Sequence, residues 1–231
     1  MPTAIITGAS RGLGLALART LAARGWGLVL DARGTADLER VARELGALTE
    51  VVAIPGDVAD EWHRGVLVEA AGDQLDLLVN NASDLGPSPL PPLARLAPEE
   101  FSRVLTVNTV APLALVQAVL PALRSAGGTI VDISSDAAVE AYEGWGGYGA
   151  SKAALDHLTA VLAVEHPELR IYAVDPGDMA TDMHQAAFPG EDISDRPAPE
   201  TVVPGLLALV DGELPSGRYR AAELIVAGAA R

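Results

Sequence analysis

The chain has 231 residues, 49% of them hydrophobic, which is enough for one sizeable core and too apolar for a disordered chain. Its acidic side chains number 31 against 16 basic ones, and a formal net charge of −15 excludes a nucleic-acid backbone as the expected partner. With no cysteine, disulfides, thiolate nucleophiles and cysteine-held metals are excluded, and the composition fits a cytoplasmic protein.

In chain order, a first strand is predicted at 4–7, running into Thr7-Gly-Ala-Ser-Arg-Gly-Leu-Gly14 and a helix over 13–23. Gly8, Gly12 and Gly14 permit a tight turn and close approach of the backbone to a pyrophosphate at a helix N-terminus. The place of the turn, after a strand and before a helix, is the context such a motif requires. Strands follow at 28–31, 51–54, 75–80, 129–134, 170–174 and 223–227, with helical patterns at 36–45, 61–71, 99–124, 149–165 and 199–209. The strands read as continuous apolar runs alternating with helices, which predicts an α/β fold: a Rossmann-type, doubly wound parallel sheet with helices on both faces. The longest apolar stretch, 110–123, is interrupted by Pro112, Gln117 and Pro121, so no membrane span is expected. The first residues lack the basic region and long apolar segment of a signal peptide. No repeat or linker divides the chain, so one domain over 1–231 is expected. The irregular segment at about 178–199, rich in Pro, Asp and Gly, reads as a substrate flap.

Lys152 is the only lysine; every other side-chain cation among the 16 is arginine. It lies four residues after Tyr148, on one face of a predicted helix. An ammonium beside a phenol favours phenolate and draws its pKa down from about 10, which makes Tyr148 a candidate general acid/base. Tyr142 and Trp145 precede the same helix closely. The histidines, at 63, 157, 166 and 184, show no ligand spacing, so no metal site is expected.

Several short motifs recur at fixed order and separation: Thr7 to Gly14, Asp57-Val58, Asn80-Asn81-Ala82-Ser83, Asn108, Ser134-Ser135, Tyr148 with Lys152, and Pro176-Gly177 with Thr181. Over about residues 3 to 183 the chain resembles the short-chain dehydrogenase/reductase family in its compact single-domain form. The resemblance implies that Ser135, thirteen residues before the tyrosine, bonds the substrate oxygen. It implies that Tyr148 exchanges a proton with that oxygen and that Lys152 lowers the tyrosine pKa and grips the nicotinamide ribose. Asn108 would hold a water linking the lysine to solvent. Cofactor contacts are implied for Gly8, Ser10, Arg11, Gly12, Leu13, Gly14, Arg33, Asp57, Val58, Asn81, Ala82, Pro176, Gly177, Met179 and Thr181, besides Tyr148 and Lys152. Asn81 has a structural alternative, bridging neighbouring strands through its amide. Tyr142 and Trp145, with Met183, His184 and Phe188 from the flap, are the expected substrate contacts, forming an aromatic wall for an apolar or ring-bearing carbonyl.

Aligned from the glycine turn, Ala32 occupies the position where NAD-binding members place an acid, and Arg33 follows it. That pattern, with Arg11 and Ser10 in the turn, favours NADP(H) over NAD(H); an alignment shifted by one residue would instead make Asp31 the NAD-selecting acid. The chain departs from the family at Ser83, where glycine is usual, and at Asp132, where asparagine is common. It also departs over 214–228, where a Thr-Gly turn and an Asp-Gly-Gly close are missing. A homodimer or homotetramer is implied. The activity implied is that of an NADP(H)-dependent carbonyl reductase or alcohol dehydrogenase acting on a small molecule; a catalytically idle dinucleotide-binding protein on the same fold is the alternative.

Overall fold

A computed structural model describes residues 1–229. Its sheet has seven parallel strands in the order β3-β2-β1-β4-β5-β6-β7. They are β1 (Thr3–Ile6), β2 (Gly27–Ala32), β3 (Val51–Pro55), β4 (Leu77–Asn80), β5 (Thr129–Ile133), β6 (Arg170–Asp175) and β7 (Gly217–Arg220). The helices are α1 (Gly12–Ala23), α2 (Thr35–Leu45), α3 (Glu61–Ala71), α4 (Pro98–Leu105), α5 (Ala111–Ala126), α6 (Gly146–Glu165), α7 (Asp182–Ala187), α8 (Val203–Val210) and α9 (Ala221–Ala229).

Successive strand residues point to opposite faces, and both faces are buried. Ile6, Leu28, Leu30, Val79, Val131 and Val174 join a core with α1, α2, α8 and α9. Ile5, Val29, Leu78, Ile130 and Ile171 join a second core with α3 and α5. This two-sided burial is why the strands read as unbroken apolar runs. Strand order reverses between β1 and β4, which opens a crevice beyond the carboxyl ends of the strands, the usual ligand site of such sheets.

Three local expectations are corrected. The strand predicted at 223–227 belongs to α9; the last strand is the more polar β7, which pairs with β6 from Tyr172↔Gly217 to Asp175↔Arg220. A short apolar run cannot by itself tell a strand from a buried helix, and here Leu224 buries against the α8 side of the sheet. The single helix predicted over 99–124 is two helices joined through a π-helical turn, Thr106–Val110. The flap contains the short helix α7, capped by Thr181, whose hydroxyl accepts from the His184 amide.

The continuous helical stretch Pro98–Ala126, 29 residues, is long and apolar enough to cross a membrane by length and composition. Half of its most apolar window is buried in this fold, where Leu115, Val116, Val119 and Leu123 cover the sheet.

Candidate active site

The crevice at the strand ends is a cleft of about 610 Å³. At one end lies the glycine turn. Gly8 (φ +67°) and Gly12 (φ +56°) adopt the left-handed backbone that favours glycine. A Cβ on Gly14 would lie 2.5 Å from the Gly8 carbonyl oxygen and 2.6 Å from Asn81 Nδ2, so this glycine sets how closely α1 approaches the turn. The first turn of α1 has no acidic residue and no side-chain cap, which leaves its amides for an anion. Asn81 Nδ2 donates to the carbonyls of Thr7 (2.8 Å) and Gly8 (3.1 Å), and Thr7 Oγ1 accepts from the amides of Asn81 and Ala82. Asn81 therefore bridges β1 to the loop after β4, as its structural alternative required, while also facing the cleft.

The adenosine end is bounded by Asp31 to Gly34 and by Gly56 to Val58. Arg33 is exposed, and no ion pair holds it among the described residues. Asp31 is buried, with Oδ1 2.7 Å from His63 Nε2. Burial pushes its carboxyl up against the opposing pull of that hydrogen bond. The His63 ring lies directly over Gly56, where a Cβ would come within 2.2 Å of Nδ1. Arg11, on the turn, pairs with Asp182 of the flap at 3.0 Å, both side chains being well exposed.

At the other end, Ser135, Tyr148 and Lys152 come together from β5's exit and the first two turns of α6. Tyr148 is 8% exposed and Lys152 1%. Ser135 Oγ donates to Asp136 Oδ1 at 3.0 Å and accepts from the Ala137 amide at 3.2 Å. Lys152 Nζ donates to the Ile133 carbonyl at 2.7 Å and lies 5.6 Å from the centre of the Tyr148 ring. Behind it, Asp132 is buried and accepts from Asn80 Nδ2 and Thr159 Oγ1, each at 2.7 Å.

The ionisation of the pair differs from expectation. Burial pushes the Tyr148 phenol up to about 12; hydrogen bonding from Ser83 opposes this, the charges of Asp136 and Asp175 add to it, and Ser135 again opposes it. Burial likewise pulls the Lys152 ammonium down from 10.5 to about 8, against the charges of Asp132 and Asp156. The phenol therefore lies above the neutral range, because desolvation outweighs the hydrogen bonds that oppose it.

The cleft is lined by Gly8, Ser10, Arg11, Gly12, Leu13, Arg33, Asp57, Val58, Asn81, Ala82, Ser135, Tyr148, Lys152, Pro176, Gly177, Met179 and Thr181, together with Trp145, Met183 and His184. Four expected residues lie off it. Gly14 packs beneath the turn. Asn108 is fully buried in the π-helical turn, and its side chain makes no hydrogen bond to Lys152 among the described residues. Its Oδ1 accepts from the Asp84 amide (2.7 Å) and Ser83 Oγ (3.2 Å), and its Nδ2 donates to the Asp84 carbonyl (2.8 Å) and Ser151 Oγ (2.9 Å). Its amide locks the loop after β4 to α6, which gives the side chain a structural role. Tyr142 is 43% exposed, its hydroxyl 2.8 Å from Glu140 Oε2 and 3.0 Å from Asp136 Oδ2, so that its one proton is shared between two carboxylates. Phe188 stands behind the wall, its ring 6.0 Å from Trp145 and 4.9 Å from His184, while Trp145 meets the Tyr148 ring edge-on at 5.7 Å.

Sequence reasoning did not place Ser83, Asp136 or the Ile133 carbonyl in the site. Ser83 carried a signal, being a hydroxyl where glycine is usual; Asp136 carried only its adjacency to Ser135. The residues fit a dinucleotide: an uncapped helix N-terminus behind a glycine turn, an exposed arginine beyond β2, and an acid–base group at the far end of one cleft.

Residues 2–192 match the family model described as short chain dehydrogenase. Sepiapterin reductase from Bos taurus is 37% identical over 199 residues, covering 79% of this chain and 74% of that protein. Benzil reductase ((S)-benzoin forming) from Saccharomyces cerevisiae is 34% identical over 216 residues, covering 88% of this chain and 79% of the relative. Among solved structures, the alcohol dehydrogenase from the archaeon Thermococcus sibiricus complexed with 5-hydroxy-NADP superposes with a TM-score of 0.84 at 30% identity, over 95% of each chain.

Proposed function

The chain belongs to the short-chain dehydrogenase/reductase family, an NAD(P)-dependent oxidoreductase by descent, and we propose that it is an NADP(H)-dependent carbonyl reductase acting on a small ring-bearing ketone or aldehyde. The observation that carries this reading is the convergence of Ser135, Tyr148 and Lys152 on the cleft that begins at the glycine turn. We read 1–231 as one catalytic domain with 178–199 as its flap; its last two residues lie outside the described ones.

When bound, the nicotinamide supplies the hydride. Tyr148 stays protonated at neutral pH because burial holds its phenol at about 12, so it is poised to give a proton to the carbonyl oxygen as charge develops there. Ser135 turns its hydroxyl from Asp136 to that same oxygen, adding a second donor where the charge grows. Lys152, near 8, is charged at neutral pH yet close to its titration point, which suits it to holding a ribose hydroxyl and passing a proton back to the phenol. Trp145 gives the substrate end an aromatic face, backed by Phe188.

The preference for NADP(H) rests on Arg33, exposed beside the adenosine end, and on Asp31, whose carboxylate is engaged by His63 rather than left for a ribose 2′-hydroxyl. The 5-hydroxy-NADP bound by the archaeal relative supports the same reading.

The test is a parallel fluorescence titration with NADPH and NADH, followed by a carbonyl panel that includes benzil, sepiapterin and aliphatic ketones. Tighter NADPH binding, with NADPH oxidation on ring-bearing carbonyls, is the expected result. Binding without turnover on any carbonyl overturns the reductase reading, and equal or tighter NADH binding overturns the cofactor assignment.

A further inference from the structure

The chain's last strand departs most from the family pattern, and it places charge under the active site. In β7 the triplet Arg218-Tyr219-Arg220 alternates across the sheet. Tyr219 turns to the α8 face, where its ring meets Tyr172 edge-on at 5.8 Å. The two arginines turn to the other face, toward α6 and the end of β6.

Arg218 is three-quarters buried and makes an unusual set of contacts there. Its Nε donates to Asp156 Oδ2 at 2.8 Å, and its Nη2 donates to the backbone carbonyl of Ser135 at 2.9 Å. The same Nη2 lies 3.8 Å from Asp175 Oδ2. Arg220 approaches Asp175 at 3.7 Å from one register step further on, and reaches Glu140 at 3.4 Å. Asp156 lies four residues after Lys152 on α6, on the same helix face. Its other oxygen, Oδ1, is buried without a hydrogen-bond partner, so Arg218 is the donor that satisfies this carboxylate among the described residues. Asp175 ends β6, immediately before Pro176 and Gly177 of the cleft.

We propose that Arg218 is a positioning residue for this active site: one planar guanidinium ties the Ser135 carbonyl to Asp156, holding the serine loop in register with the helix that presents Tyr148 and Lys152. The geometry requires a fork. Two donors of one rigid plane reach a carboxylate and a carbonyl at once, which a lysine ammonium does not reproduce. The loop needs such a tie because Ser135 leaves β5 in extended backbone (φ −162°) and enters only a three-residue turn, Asp136–Ala138. The cation also screens two carboxylates from the catalytic groups. The groups facing Lys152 are Asp132 from β5, Tyr148 from its own helix and Asp156 one turn on; those acting on Tyr148 are Ser83, Asp136, Asp175 and Ser135.

The inference rests on the reductase reading for its kinetic arm only. Because the chain holds a single lysine, a sample labelled with 13C at lysine Cε gives one side-chain signal, and its pH titration reports Lys152 without turnover. In Arg218→Met the midpoint rises by roughly half to one pH unit, since Asp156 is no longer screened from the lysine. In Asp156→Asn it falls below that of the unsubstituted protein. Kinetically, Arg218→Met lowers kcat roughly ten- to a hundredfold with the NADPH Kd nearly unchanged, as displacement of a catalytic group by about 1 Å does. Arg218→Lys, measured by kinetics because it adds a second lysine, recovers only a minor part of kcat. An unmoved lysine midpoint in a folded Arg218→Met, or full kcat in Arg218→Lys, overturns the proposal. Should Arg218→Met not fold, an Asp156→Asn midpoint that fails to fall does the same. A protein that reduces no carbonyl refutes the reductase reading, while the lysine titration still decides this one.

Discussion

Replacing Lys152 by methionine keeps a long flexible stem of similar volume and removes a charge that the fold holds at a cost. The side chain is 1% exposed, and burial draws its pKa from 10.5 to about 8, with Asp132 and Asp156 pulling the other way. A base whose folded pKa lies below its unfolded value binds fewer protons when folded. Its penalty is therefore complete below about 8, shrinks as pH rises from there, and is gone by 10.5. A difference of that size corresponds to roughly 3 kcal/mol at neutral pH. The substitution forfeits the bond from Nζ to the Ile133 carbonyl, worth about 1 kcal/mol. Asp132 does not become a stranded charge, because burial already raises its carboxyl and loss of the lysine raises it further, toward the neutral form. The net expectation is a gain of about 2 kcal/mol, or roughly 4–8 °C in Tm for a chain of this size, with turnover abolished. Thermal melts of both proteins followed by circular dichroism, at several values between about pH 7 and pH 10, test this. The gap between the two should be constant at neutral pH and close as the medium becomes alkaline. A methionine variant that melts at or below the parent at neutral pH, or a gap that ignores pH, refutes the argument that this lysine is a buried, destabilising charge.

Three further outcomes are expected. Tyr148→Phe should bind NADPH nearly as the parent does and lose turnover by at least about a hundredfold in steady-state assays, since it deletes the proton donor alone; substantial residual reduction would remove the phenol from that role. Arg33→Ala should weaken NADPH binding by roughly ten- to a hundredfold and leave NADH almost unchanged, the worth of one charge-assisted contact to a 2′-phosphate; equal losses for both cofactors would mean that another residue reads this position. Gly14→Ala sets a Cβ 2.5 Å from the Gly8 carbonyl oxygen, so the helix or the turn must shift. The expected cost is about 1–3 kcal/mol in chemical denaturation, with cofactor affinity lost alongside, and an unchanged midpoint would show that the turn yields.

How far the site was legible depended on whether its parts are local. The glycine turn, the Tyr148 and Lys152 spacing and the apolar strands are written in neighbouring residues, because turn conformation, helical register and two-sided burial each act over a few positions. Asn81 and Ser135 followed from the family resemblance, and both sit on the cleft. Tyr142 and Phe188 were misplaced because a ring near the site in sequence can face either way once the loop folds. Here Asp136 and Glu140 draw one outward, and Trp145 screens the other. Asn108 was singled out by the family pattern, but its bonds to Asp84 and Ser151 were not legible, because the π-helical turn that aims its amide at them forms only in the folded chain.

The sequence by itself determined the doubly wound sheet and the glycine turn and singled out Tyr148 and Lys152 as the candidate acid–base pair, since patterning, spacing and residue chemistry are carried along the chain. Only the tertiary structure decided which charges meet. Asp31 with His63, Asp132 behind Lys152, and Arg218 beneath Ser135 join residues 20 to 83 positions apart on different elements. It also decided that the phenol is held protonated rather than drawn down by its lysine, because desolvation depends on everything packed around a group, and a linear chain does not specify that before it folds.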